Sequence, residues 1–204
     1  MRPTTPFARS TFFVSVALLA LFCALRRADA QPTGAPARPG AAAAVDETAV
    51  RAAGIRQHTG GRLTLYTDLG DDAACEELDR AFDAAYPQWC DYFQVPEKTI
   101  PAWRVTGHLM LDREKFRTAG LLPAELPDFQ HGYTLHDRFW LDEQPSEYYR
   151  RHLLLHEGTH SFMFTRLGSC GPAWYREGVA ELLATHRLDD AGLHLRYFPR
   201  HRDE

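Results

Sequence analysis

The stretch HLLLHEGTHSFMF, residues 152–164, constrains the fold more than any other part of the chain. Its period predicts a helix. Leucines, phenylalanines and a methionine make that helix apolar nearly all round, so it must be buried. Yet two histidines and a glutamate sit in its middle, and burying such groups is costly unless something compensates them. The compensation is either a hydrogen-bond network or a metal ion. His156 and His160 stand at i and i+4, which projects both imidazoles from one face, one turn apart. Two ring nitrogens so placed can share a tetrahedral Zn²⁺ at about 2.0–2.1 Å each. Glu157 is rotated around the helix from that pair. It can reach a water near the ion without ligating the ion, the position a general base needs.

A second segment strengthens this reading. PAWYREGVAELLATH (172–186) follows a glycine-rich break, GSCGP (168–172), so its helix should fold back beside the first. Glu177 comes seventeen positions after His160, and Glu181 lies one turn further along the same face. Glu177 can complete a two-histidine, one-carboxylate site and leave the fourth position to water. Glu181 is placed to accept an N–H from a ligand histidine and so orient its ring. Val179, Leu182 and Leu183 supply a separate apolar face. The bland alternatives are two solvated glutamates, and His156, Glu157 and His160 merely hydrogen-bonded in a core. His152, one turn before His156, is a ligand only if Glu177 is not; otherwise it faces solvent or the outer side of the site.

HEGTH followed by WYREGVAELLA resembles the gluzincin zinc peptidases, and most closely the small exported bacterial peptidase-MA-like domains of unknown function. The resemblance covers about residues 145–187. It implies a zincin-like fold, with His156, His160 and Glu177 as zinc ligands, Glu157 as general base and Glu181 as the acidic partner one turn after the ligand glutamate. Two departures stand out. The His160–Glu177 spacing is slightly shorter than in aminopeptidase N-like enzymes. The chain also runs only 27 positions past Glu177, where the clan carries a helical subdomain that supplies a Tyr or His to stabilise the oxyanion. Either this chain is a fragment, incomplete at its C-terminus, or Tyr175, Tyr197 or His194 does that work.

The rest of the chain reads as one α+β domain of roughly 150 residues. Its fold class is a small mixed sheet packed on the histidine helix and the glutamate helix that follows. RLTLYTDL (62–69) alternates like a strand, and 71–93 has helical period with Asp71 as N-cap and Pro87 as a candidate kink. AWRVTGHLML (102–111) reads as a second strand. Residues 112–120 read as a short helix closed by Gly120, and 131–142 as two strands around a turn at His136-Asp137. Pro145 fits the first turn of a helix running to about Leu167. A further helix spans 173–187, and 193–198 suggests a last strand. RFWLD is read either as the sheet-edge strand that runs beside an extended peptide or as core.

The first thirty residues are of another kind. Arg2 and Arg9 precede a fifteen-residue apolar run, TFFVSVALLALFCAL, and ADA (28–30) fits a small-residue cleavage site. The run is shorter than the roughly 20 residues a membrane span needs. A secretory signal peptide over 1–30 is therefore expected, with a Pro/Ala/Gly-rich linker over 31–47 and the peptidase domain over 48–204. The protein would then be exported, periplasmic or secreted, with no stable membrane span after cleavage; an uncleaved N-terminal anchor is the alternative. Phe22 before Cys23 is too bulky for a lipid-attachment signal. The leader holds four arginines and one aspartate, so its loss takes the formal net charge from −4 to −7. That balance disfavours nucleic-acid binding, which needs a concentrated basic surface. RYFPRHRDE at the end reads as a solvated tail.

Three cysteines remain, an odd number. Cys75 and Cys90 on one helix would lie about 22 Å apart, beyond disulfide reach. Cys170 bonded to either, or three free buried thiols, both stay open. The expected function is zinc-dependent hydrolysis of a peptide (amide) bond in a peptide or protein substrate. The alternative is a non-catalytic exported binding or cell-envelope protein that retains a structural zinc site. A third class, an interaction domain without metal, predicts no zinc in the purified protein.

Overall fold

The computed structural model describes residues 45–97 and 103–198. The expected leader, most of the linker and residues 199–204 of the basic tail lie outside them. In chain order the elements are α1 (Glu47–Ala52), β1 (Arg56–Thr59), β2 (Leu63–Thr67), α2 (Asp72–Phe93), β3 (Val105–Met110), α3 (Arg113–Thr118), β4 (Gly132–Leu135), β5 (Arg138–Asp142), α4 (Glu147–Phe162), α5 (Ala173–Ala184), β6 (His186–Asp189) and β7 (Gly192–Leu195). A π-helical turn, Met163–Leu167, extends α4.

Five strands form a mixed sheet in the order β1-β2-β3-β5-β4. The central pairs β2/β3 and β3/β5 are parallel, while β1 and β4 add antiparallel to the two sides. A parallel core needs cover on both faces, and the strand sequences provide for it. Leu63, Leu65, Val105, Leu109, Phe139 and Leu141 point to one side, against Leu78, Phe82, Ala85 and Trp89 of α2 and Leu154, Leu155 and Phe162 of α4. Tyr66, Met110 and Trp140 point to the other, against Val50, Ile55, Phe116, Leu121 and Leu122. On that second face the ladder Tyr66–His108–Trp140 stacks three rings across adjacent strands, with centroids 5.8 and 5.0 Å apart. His108 is buried, and its Nδ1 lies 2.9 Å from the Phe139 carbonyl oxygen it donates to. Gly107 is required at the centre of β3, because a Cβ there would lie 2.5 Å from the Phe139 ring.

The helices begin where short polar side chains satisfy their first N–H groups. Asp46 caps α1, Asp71 caps α2, Asp112 caps α3 and Ser146 caps α4. Gly120 follows α3 in the left-handed region at φ +71°. The β6–β7 ribbon is docked on α2 by one amide: Gln88 Nε2 donates to the Leu193 carbonyl at 2.9 Å, and Leu195 N–H donates to Gln88 Oε1 at 3.0 Å.

Several expectations change. The helix α1 starts at Glu47 with its cap at Asp46, inside the span read as linker. Strand β1, RQHT, carries no apolar alternation in its sequence; it pairs antiparallel with β2 along the sheet's other edge. Pro145 precedes the Ser146 cap and lies outside the first turn. Helix α2 continues through Pro87. Helix α5 ends at Ala184, and residues 186–189, whose first two were read as helix, form β6. RFWLD is β5, an interior strand with Phe139, Trp140 and Leu141 buried, so the edge reading fails and the core reading holds; the edge on that side is β4. Cys75, Cys90 and Cys170 are buried free thiols. No helix among the described residues is long and apolar enough to cross a membrane.

Candidate metal centre

Helix α4 lies against the sheet and α5 packs beside α4. Leu154, Leu155 and Phe162 anchor α4 in the core, while Val179, Ala180 and Leu183 bury the inner side of α5. That anchoring leaves His156 and His160 facing the Glu177 side of α5. The tight approach of α4 to α2 depends on Gly158, where a Cβ would lie 2.6 Å from Phe82 and 2.9 Å from Trp89.

The structure brings His156, His160 and Glu177 together. His160 Nε2 is 3.2 Å from His156 Nε2 and 3.2 Å from Glu177 Oε2, and His156 Nε2 is 3.5 Å from the same oxygen. Protons cannot satisfy this triangle fully. If both imidazoles donate to the carboxylate, their two N–H groups face each other across 3.2 Å. A cation would resolve the conflict by receiving all three lone pairs. Three donors held tetrahedrally at about 2.0–2.1 Å lie about 3.3 Å apart, and the observed edges bracket that value. The donor set therefore fits a small tetrahedral ion in dimension and chemistry.

Glu157 stands apart from the triangle, buried at 5% exposure. The Thr134 hydroxyl donates to its Oε2 at 2.6 Å. Gly132, two residues earlier on β4, leaves room for the other oxygen, because a Cβ there would overlap Glu157 Oε1. Burial pushes the Glu157 carboxyl up from its ordinary value, and the Thr134 hydrogen bond opposes that rise. For Glu177 the contacts from His156 and then His160 dominate, and they hold its carboxyl well below the usual range. For His156 burial works against protonation, but Glu177 and the neighbouring carboxylates outweigh it and raise the imidazole.

Glu181 Oε2 lies 3.5 Å from His156 Nδ1 and 3.3 Å from His152 Nε2, so it stands between the two rings. His160 Nδ1 is buried without a hydrogen-bond partner among the described residues. The three oxyanion candidates have these neighbours. His194 pairs with Asp189 at 3.7 Å, Arg187 lies over the Tyr197 ring, and Tyr175 packs on Gly171 and Trp174. None of the three is hydrogen-bonded to the histidine–glutamate cluster among the described residues.

Three neighbours of Glu157 and Glu177 are not apparent from the sequence. Gly132 and Thr134 share one face of β4 by their i, i+2 spacing, which was readable; that this face meets Glu157 was not. Arg176 donates from Nε to Glu177 Oε1 at 3.1 Å and so leaves Oε2 to the histidines. Adjacent helical residues do not normally face each other, so the sequence gives no sign of this contact. Comparison with protein families, with curated proteins and with solved structures finds no match.

Proposed function

We propose that the chain is a zinc-dependent peptidase of zincin-like fold. The observation that carries this reading is the triangle of His156 Nε2, His160 Nε2 and Glu177 Oε2, with edges of 3.2–3.5 Å, beside a separately held carboxylate. Those three atoms would hold the ion. When bound, zinc would polarise the substrate carbonyl and lower the pKa of a water molecule toward about 7.

The chain's own residues supply the remainder. Glu157 accepts the proton of the attacking water and returns it to the leaving amine, the work of a general base that then acts as acid. Thr134 fixes which carboxylate oxygen is engaged, and Arg176 does the same for Glu177. The outer strand β4, antiparallel to β5 and touching Glu157 through Gly132 and Thr134, suits an extended peptide added alongside it by main-chain hydrogen bonds. This assigns to β4 the role considered for RFWLD. The expected leader supports export of the enzyme to the periplasm or medium.

The same donors would serve a purely structural zinc site. The Glu177 side chain is 53% exposed, so one side of the triangle is open to solvent. That openness favours a site with a replaceable fourth position over a closed structural one.

The deciding experiment is Glu157→Gln with zinc content and peptide hydrolysis measured in parallel. The peptidase reading expects one zinc per chain in both proteins and hydrolysis lost in the variant. Equal hydrolysis by both would remove it.

A further inference from the structure

Two ladders face each other across the α4–α5 contact. On α4 the histidines recur at 152, 156 and 160; on α5 the glutamates recur at 177 and 181. Each glutamate meets two consecutive histidines. Glu177 Oε2 meets His156 Nε2 and His160 Nε2, as described. Glu181 Oε2 meets His152 Nε2 at 3.3 Å and His156 Nδ1 at 3.5 Å. The donor atoms of His152, His156 and Glu181 all lie within 4.8 Å of one another, as do those of the other set. The repeat follows from helix geometry, since i, i+4 spacing on both partners makes the contact recur one turn further along.

From this we infer that His152, His156 and Glu181 form a second zinc position, one helical turn from the first and exclusive of it. Exclusivity comes from His156, which both positions share. A neutral imidazole has a lone pair on one nitrogen and a proton on the other. With Nε2 ligating in the first position, Nδ1 carries the proton and donates it toward Glu181. With Nδ1 ligating in the second, Nε2 carries it toward Glu177. The ring therefore serves one ion at a time, and moving between positions exchanges its tautomer.

The outer position is the more open of the two. His152 is 17% exposed and Glu181 62%, against 7% for His160 and 53% for Glu177. An ion arriving from solvent would meet Glu181 and His152 first and pass inward as His156 loses the Nε2 proton to solvent and takes one up on Nδ1. This inference rests on the zinc reading of the inner site.

The test is zinc titration of the metal-free full chain, competed against a chromophoric chelator. Four proteins are compared: wild type, Glu177→Ala, His152→Ala and the double variant. Glu177 is exposed on a helix that tolerates alanine, and circular dichroism checks each fold. Wild type should bind one zinc, not two. Glu177→Ala should still bind one zinc, more weakly, through the outer set. Adding His152→Ala to it should weaken binding by about tenfold or more, 1.4 kcal/mol. His152→Ala alone should leave the wild-type affinity within about twofold, because the inner site does not use that ring. Equal loss from His152→Ala in both backgrounds would mean that His152 merely buttresses Glu181, and would overturn the outer site. So would Glu177→Ala protein that binds no zinc, or a wild type that binds two. A wild type that binds none would overturn the inner site as well, which separates the two failures.

Discussion

Thr134 on the outer strand and Glu157 on the buried helix are joined by a hydroxyl-to-carboxylate hydrogen bond of 2.6 Å, and the same hydroxyl lies 3.0 Å from the Glu157 carbonyl oxygen. A residue of the sheet edge thereby sets the orientation of the proposed base. Thr134→Val keeps the shape of the side chain and removes the donor. Peptide hydrolysis should fall by about 10–100-fold, the usual cost of losing a partner that orients a catalytic group. Zinc content should not change, and Thr134→Ser should restore most of the rate. Full activity in the valine variant would show that Glu157 needs no such clamp.

Gly158 sets two effects against each other. Alanine in its place gains about 1 kcal/mol of helix propensity. Its Cβ would sit 2.6 Å from Phe82 and 2.9 Å from Trp89, both fully buried, and overpacking of that kind costs about 1–3 kcal/mol. The packing term wins. Gly158→Ala should lower the denaturant midpoint with an unchanged m-value; a stabilised variant would mean that α2 and α4 move apart freely.

Zinc bound only by the folded chain should stabilise it. At about 100 times Kd the gain is about 2.7 kcal/mol, or roughly 5–10 °C in Tm for a domain of this size. Calorimetry with zinc and then with excess chelator reads the difference. In the His156→Ala variant, which removes a donor from both sets, the metal-dependent increment should vanish. An identical Tm with and without zinc in the wild type would count against any bound ion.

His108 makes the fold acid-sensitive. Burial pushes its imidazole down to about 4, even though the Phe139 carbonyl accepts its N–H. The unfolded value is about 6.5. Between those values the unfolded chain binds a proton that the folded chain refuses, so stability falls as pH drops from about 6.5 to about 4, by about 1.4 kcal/mol per unit at most. Above 6.5 the group contributes nothing. His186, also pushed down by burial to about 4, acts in the same direction. NMR should show the His108 ring neutral at pH 5, and His108→Phe should flatten the acid limb of the stability profile.

Much of this protein is determined by local pattern. The i, i+4 histidines and the offset Glu157 follow from one helix and its 3.6-residue period. The Asp71 cap, the Gly120 stop and the turn at His136-Asp137 follow from which residues satisfy or bend a backbone within a few positions. The spacing from His160 to Glu177, broken by GSCGP, was enough to expect both helices side by side. Periodicity says which side chains share a face but not which element covers that face. Only the tertiary structure decided that RFWLD lies inside the sheet and GYTL at its edge, because both are short strands and their order depends on long-range pairing. Only it placed Gly132 and Thr134 on Glu157. Only it set Glu181 between His152 and His156, turning a single motif into two facing ladders, because the relative shift of α4 and α5 is fixed by the core beneath them.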